Sequence, residues 1–517
     1  MNNIKKINFF LHFTVLLLLL LFCAALPYPC SGLNENLVSN VDGKIRVIIF
    51  HNGDGSTFSG FWFDMSVVFR DLMDKMDKDV GFVILVGKDS KADKLKEVMQ
   101  PYTSQKLPDG TARLKYLTVG VKTGNFYPWA RDGYFVLTDK NNDLIFLDAG
   151  FNERPFPIVN FDQVFANTRT RSGTVHRGGG NIRSTDEEIF VGMDTFLGID
   201  VTTRWDFLGT GDRSIFTAYY DLQAMGLLSA DSEAEEPKGK EAKAKMISLL
   251  KKRFAVYANQ IHYILAPEKK MIIPGKERFF SQLEKGEFKF AKKYVHHTGA
   301  QAAYHTDVYL SLGPKDSDGK RIIFIADSKA GAAIVEKMSP GERRLVERKM
   351  PEVLVSEGFT ATGITVTKEQ VAQRFEWEKH KLLDLGIKKS AELAEVLDDT
   401  AKRLKNQGYR IHRIPYLPNG LNNQDVHNDK VAGLSFNYSN VLTEVYGNVK
   451  KVYMPTFGFK QLDEAAAKVY EKAGFQVIYI KGLLTNALTV GPAGAGLDCL
   501  TSDIRVPVRW TKKDEKK

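Results

Sequence analysis

KIRVIIF (residues 44–50) and GFVILV (residues 81–86) are short β-branched runs with the length and flanks of strands, and residues 63–76 between them space their apolar side chains as a helix does. This is βαβ-like alternation, and it continues outward along the chain. Further strands are expected at 134–137, 144–147, 189–191, 308–312, 321–326, 451–454 and 477–480, with a helix over 462–473. Strands interleaved with helices and short turns indicate an α/β architecture. Periodicity alone does not say how the sheets are arranged. Two stretches break the rhythm. Residues 229–253 are dense in Glu, Lys and Ala and read as a solvated linker leading into a helix; residues 336–408 are mostly charged, with Leu, Val and Ala at helical spacing, and read as a helical hairpin or small cap. Either is placed to cover a site or to decorate the periphery.

The chain has 517 residues, 43% of them hydrophobic and 11% aromatic, ordinary values for a globular protein with a substantial core. Lys and Arg number 72 against 62 Asp and Glu, but the excess is spread along the chain and into the tail at 511–517, with no compact basic stripe interleaved with aromatics. A solvated surface is expected, and no nucleic-acid partner. Lys5-Lys6, an apolar run over 13–26 and Ala24-Ala25 read as an export signal over residues 1–25, with an uncleaved membrane anchor as the rival. A secreted or periplasmic protein is the expectation. Of the three cysteines, Cys23 would leave with the signal, so no disulfide framework is expected and Cys499 stands alone in a glycine-rich segment as a candidate reactive thiol.

Four short pieces carry the chemistry. Trp129-Ala130-Arg131-Asp132-Gly133, Gly178-Gly179-Gly180-Asn181, His305-Thr306-Asp307 and Gly494-Ala495-Gly496-Leu497-Asp498-Cys499 supply two carboxylates, one imidazole and one thiol close to glycines. A planar cation is held best by carboxylates that accept its N–H groups in pairs. A thiolate can add to its central carbon while an imidazole moves protons to the leaving nitrogen and from water. Trp129 would wall water from such a cation. His305 and Asp307 lie two apart at the start of an expected strand, where alternation sends both side chains to one face. His296-His297 upstream keeps a metal reading open, but no three ligands at a recognised spacing accompany them. Glycines around Cys499 leave room for a substrate to approach.

In order and character these pieces resemble the guanidine-modifying enzymes of the pentein fold: agmatine, arginine and peptidylarginine deiminases, dimethylarginine hydrolases and amidinotransferases. Trp129-x-Arg131-Asp132 is similar to that family's first carboxylate motif, and Phe151-Asn152 with Arg154-Pro155 follows it. His305-x-Asp307 is similar to its His-x-Asp. Tyr438-Ser439-Asn440, VKKVYMPTFG (residues 449–458) and the glycine-rich run into Cys499 match the end of such chains. The resemblance spans residues 44–507 and implies a five-fold pseudosymmetric α/β propeller with helical insertions. It implies a linker over 26–43 and a catalytic domain over 44–510, interrupted near 229–300 and 336–408. It further implies Cys499 as nucleophile, His305 as general acid and base, and Asp132 with Asp307 as the grip on the guanidinium. Trp129, Arg154, Gly180, Asn181 and Asn440 would bind substrate, and no metal or other cofactor is needed. Two positions depart from the family pattern. Gly178 stands where glutamate is usual before Gly-Gly-Asn, and Asp498 where histidine commonly precedes the cysteine.

The implied reaction is hydrolytic deimination through a thiouronium on Cys499, converting peptidylarginine to peptidylcitrulline with release of ammonia. Arg154 would meet the carboxylate of a C-terminal arginine. Agmatine, which has no carboxylate, is the alternative substrate, and amidino transfer the alternative reaction. A non-catalytic binding protein on the same scaffold, favoured by Gly178, is the alternative of another class. A papain-like arrangement is disfavoured because Cys499 follows His305 in the chain.

Overall fold

The run expected as a strand at 44–50 pairs over Val47–His51, and GFVILV forms Gly81–Val86 beside it in parallel, every residue of both buried. The helix Ser66–Lys75 makes the crossover that a parallel pair requires. The computed structural model describes residues 35–52, 65–120, 129–148, 159–172, 179–193, 195, 240–285, 289–291, 294–296, 305–357, 360–361, 364–365, 367–375, 377–420, 435–481 and 496–511. On its other side Val47–His51 pairs antiparallel with Thr501–Ile504, so among the described residues the first long strand is joined to the last strand.

This unit, an antiparallel pair followed by a parallel one, occurs five times among the described residues. Tyr134–Thr138, Leu144–Asp148 and Arg169–Ser172 repeat it, as do Ile182–Ser184, Glu188–Val191 and Lys270–Ile272. Leu310–Lys315, Arg321–Asp327 and Arg410–Leu417 form the fourth unit, and Leu442–Tyr446, Val449–Pro455 and Gln476–Ile480 the fifth. The architecture is mixed α/β, as expected.

The two stretches that broke the rhythm are the longest of the crossovers. The helix Lys240–Leu265 joins Glu188–Val191 to Lys270–Ile272 and buries Phe254, Ile261 and Leu265 against the adjacent sheets; residues 229–239 lie outside the described residues. Between Arg321–Asp327 and Arg410–Leu417 run the helices Ser328–Glu336, Pro340–Ser356, Lys368–Phe375, Trp377–His380 and Leu382–Asn406. Ser339 caps the second of these reciprocally with Glu342, and Pro340 opens it, where its missing N–H costs no hydrogen bond. Met350, Leu354, Leu382 and Leu383 join the largest apolar cluster, while Val396, Leu397, Ala401 and Leu404 pack beneath a second sheet. The stretch 336–408, expected as a helical hairpin or small cap, therefore holds four helices among the described residues, of which Pro340–Ser356, Lys368–Phe375 and Leu382–Asn406 bury apolar side chains in the core.

Two further expectations change. Residues 36–43, expected as linker, are part of the fold: Asn36–Leu37 pairs with Tyr134–Thr138, and Val41 is fully buried. Arg505 fixes this segment, donating from Nη1 to the carbonyls of Val41 (2.8 Å) and Gly43 (3.1 Å) and from Nη2 to those of Asn40 (2.7 Å) and Thr443 (2.5 Å). The strand expected at 308–312 starts only at Leu310, because residues 306–308 form a 3₁₀ turn. The expected signal over residues 1–25 and the tail at 512–517 lie outside the described residues, among which no helix is long and apolar enough to cross a membrane.

Candidate active site

Asn440 is the centre from which the site is built. It sits fully buried between the strands Phe436–Asn437 and Leu442–Tyr446, in a turn tightened by Asn437, whose Oδ1 accepts the Ser439 N–H at 2.9 Å. Its Oδ1 accepts the Cys499 backbone N–H at 3.1 Å, its Nδ2 donates to the Cys499 Sγ at 3.0 Å, and its carbonyl accepts the Leu497 N–H at 3.1 Å. Such proximity needs a glycine at 496, where an added Cβ would lie 2.5 Å from the Asn440 Cβ. Cys499 follows in the one-turn helix Leu497–Leu500 and is 1% exposed.

His305 and Asp307 arrive by a different route from the expected strand alternation. His305 is extended (φ −123°, ψ 149°), and the chain then enters the 3₁₀ turn Thr306–Val308. Both side chains reach the same place because of that turn. Gly180 and Asn181 hold it: Asn181 Oδ1 accepts the Thr306 N–H at 3.1 Å, and the Gly180 carbonyl accepts the Thr306 hydroxyl at 3.1 Å. An added Cβ at Gly180 would lie 2.5 Å from His305 Nδ1 and 2.7 Å from Asp307 Oδ2. The Cys499 thiol donates to Asp307 Oδ2 at 3.2 Å. Donor atoms of His305, Asp307 and Cys499 lie within 4.8 Å of one another, all three residues buried.

A thiol, an imidazole and a carboxylate at this separation suit nucleophilic catalysis with proton transfer. They are also ligand types that zinc accepts, so metal content is a property to measure. Trp129 precedes the short helix Ala130–Gly133 and packs, half-buried, against the largest apolar cluster. Asp132 belongs to that helix, but its side chain, like Arg154 and Gly178, lies outside the described residues.

A set of buried charges beside the thiol was not foreseen. Asp498 receives Arg131 Nη2 on Oδ1 at 2.9 Å and Arg183 Nη1 on Oδ2. Arg131 Nη2 also reaches Asp503 Oδ1 at 2.5 Å, and Asp503 Oδ2 accepts from Arg505 Nε at 2.6 Å. Burial opposes the charge on Arg131, but Asp498 and Asp503 outweigh it and hold its pKa above the ordinary value. Burial likewise opposes ionisation of Asp503, yet Arg505 and Arg131 bring its pKa down to about 2. The signal available in the sequence was Asp498 itself, a departure from the family pattern. Its partners lie 367 and 315 residues away.

No family model matches the chain, and no curated protein matches it. Among solved structures it is similar to a structural-genomics structure provisionally assigned as an agmatine deiminase, at 10% identity and a TM-score of 0.44 over 91% of this chain and 95% of that one. It is similar to an agmatine deiminase of Enterococcus faecalis at 9% identity and a TM-score of 0.44, over 91% and 96% of the two chains. A dimethylarginine dimethylaminohydrolase adduct is similar at 10% identity and a TM-score of 0.28, over 89% and 100%.

Proposed function

We propose that this protein is a cysteine-dependent hydrolase of guanidino C–N bonds, a deiminase on a five-bladed pentein-type scaffold. The observation that carries the reading is the meeting of Cys499, Asp307 and His305 in one buried cluster with Asn440 bonded to the sulfur. The repeated sheet plan supports the scaffold, since five units of one pairing pattern suit five blades.

In the reaction, Asp307 and Asp132 accept the N–H groups of the guanidinium, which takes the place of the thiol proton as the partner of Asp307. The Cys499 thiol gives its proton to His305 and its sulfur forms a bond to the central carbon; the carbon–nitrogen bond then breaks as His305 passes that proton to the departing nitrogen, and ammonia leaves. Water then attacks the thiouronium while His305 accepts its proton. The carbon–sulfur bond breaks as the added hydroxyl gives up its proton to the sulfur, leaving a ureido product and a regenerated thiol, and His305 releases the proton it took from water to the ammonia. Asn440 steadies the sulfur through its Nδ2–H, a contact that strengthens as the sulfur gains charge.

The favoured substrate is peptidylarginine, because the export signal expected over residues 1–25 sends the protein where peptides are the accessible guanidino compounds, and because Arg154 suits a substrate carboxylate. Agmatine is the second candidate. The test measures ammonia and ureido product from agmatine, free arginine and peptides with internal or C-terminal arginine, beside Cys499→Ala and with the zinc content of the purified protein. Cysteine-dependent ammonia from metal-free protein supports the reading, and the preferred substrate decides between its two forms. Stoichiometric zinc required for turnover would replace the thiol mechanism, and a folded, metal-free protein inactive on every compound would point to the binding-protein alternative.

A further inference from the structure

Asp498 is one residue from the thiol and 1% exposed, and its two oxygens go to different elements. Oδ1 is bonded to Arg131, from the helix that carries Asp132; Oδ2 is bonded to Arg183, from the strand that follows Asn181. One carboxylate thus joins the cysteine segment to two other segments of the site. The helix bearing Cys499 is a single turn of four residues with no side-chain cap. A turn so short has almost no helical stability of its own, because nucleation is unfavourable and too few bonds follow to offset it. Its orientation is set from outside, by Asn440 on one side and the two arginines on the other.

We propose that Asp498 is a positioning residue for Cys499: clamped between Arg131 and Arg183, it fixes the roll of the one-turn helix so that Sγ faces Asp307 and Asn440. It acts on the reaction only through the thiol. This rests on the guanidino reading for its turnover measurement and on geometry alone for its thiol measurement. Charge balance by itself is a different role, and the two separate experimentally. A glutamate at 498 preserves the charge owed to both arginines but displaces the carboxylate by one methylene, about 1.5 Å. A close-packed interior does not absorb that shift without turning the helix, and a misplacement of about 1 Å near reacting atoms costs on the order of 100-fold.

The experiment compares wild type with Asp498→Glu in thermal unfolding, in steady-state turnover of the best guanidino substrate, and in the rate of Cys499 alkylation followed by intact mass. Two reagents are used, neutral iodoacetamide and cationic 2-chloroacetamidine. The expected variant unfolds cooperatively near the wild-type temperature and loses about 10- to 100-fold in kcat with KM within about threefold. Its thiol loses most of the wild-type preference for the cationic reagent. Full kcat and an unchanged reagent preference in a folded Asp498→Glu protein would overturn the proposal. Should that variant not fold, Arg183→Lys, which keeps the charge and one donor, is expected to show the same split, and full activity there would overturn it equally. Should wild type turn over no guanidino compound, the guanidino reading falls by itself. The iodoacetamide rate then decides the positioning role: a change of about tenfold or more in Asp498→Glu supports it, and an unchanged rate overturns it.

Discussion

Gly180→Ala is the sharpest test of the site, because it adds one methyl group and nothing else. Gly180 lies in the 3₁₀ turn Gly179–Asn181 and has no positive φ, so alanine suits its backbone. The new Cβ would stand 2.5 Å from His305 Nδ1 and 2.7 Å from Asp307 Oδ2, where ordinary contact begins at 3.4 Å. The imidazole must therefore retreat by about 0.9 Å and the carboxylate by about 0.7 Å, both in a buried, close-packed setting. Overpacking of this kind destabilises by about 1–3 kcal/mol. Displacing two reacting groups by nearly 1 Å should cost about 100-fold in kcat/KM, or about 2.7 kcal/mol of transition-state stabilisation. Activity should thus be nearly lost in a protein that remains folded at assay temperature. The assay is ammonia release together with thermal unfolding, and Gly120→Ala is the control, since a Cβ there meets nothing within 4 Å. Full turnover by Gly180→Ala with an unshifted Tm would refute the placement of His305 and Asp307 as reacting groups.

Asn440→Asp keeps an acceptor for the Cys499 N–H at 3.1 Å but turns an oxygen toward the sulfur in place of the donor at 3.0 Å. Hydrogen bonds to charged groups are worth about 1.5–3 kcal/mol, so alkylation and turnover should both fall by about 10- to 100-fold, read by intact mass and ammonia release. Burial raises the pKa of Asp463 from 3.8 to about 6, against the hydrogen bonds from the Tyr438 hydroxyl and the Phe457 N–H. The fold favours the neutral carboxyl, so stability from this group is full below pH 4 and is lost as pH rises through about 6; the loss by pH 8 is about 3 kcal/mol. Asp463→Asn should accordingly stabilise at pH 8 and not at pH 4 in urea titrations. Arg505→Met removes the four carbonyl contacts and leaves Asp503 with Arg131 alone. Breaking a buried pair from one side costs about 3–5 kcal/mol, which should appear as a lower denaturant midpoint at unchanged slope.

What the sequence disclosed depended on the range of the interaction. Gly81–Val86 has the same bounds as its apolar run because strand formation there needs only that run and its flanks. Cys499, His305, Asp307, Asn440, Gly180 and Asn181 were named from motif order, and the structure brings all six together. Residues two apart share a face most simply by strand alternation, which is what the sequence of His305 and Asp307 suggests; a 3₁₀ turn achieves the same and leaves no periodic trace. The clamp on Asp498 was invisible for a physical reason. Charge pairing between Asp498 and Arg183 follows from sheet packing, and no local pattern at either residue encodes the other. Residues 36–43 read as linker because what orders them is far away in the chain: Tyr134–Thr138 pairs with Asn36–Leu37, and the Arg505 guanidinium holds the carbonyls of Asn40, Val41 and Gly43.

The pairing of Val47–His51 with Thr501–Ile504 has a temporal side. A ribosome delivers Thr501–Ile504 some 450 residues after Val47–His51, so the early strand waits with that edge unpaired while the chain between them is made. Joining such distant segments costs little extra chain entropy but is slow to find. Cys499 emerges with the late strand, two residues ahead of it. A chain stopped short of residue 499 therefore lacks the thiol of the proposed site, and the step that pairs the open edge of Val47–His51 is the same step that brings Cys499 to Asn440 and Asp307.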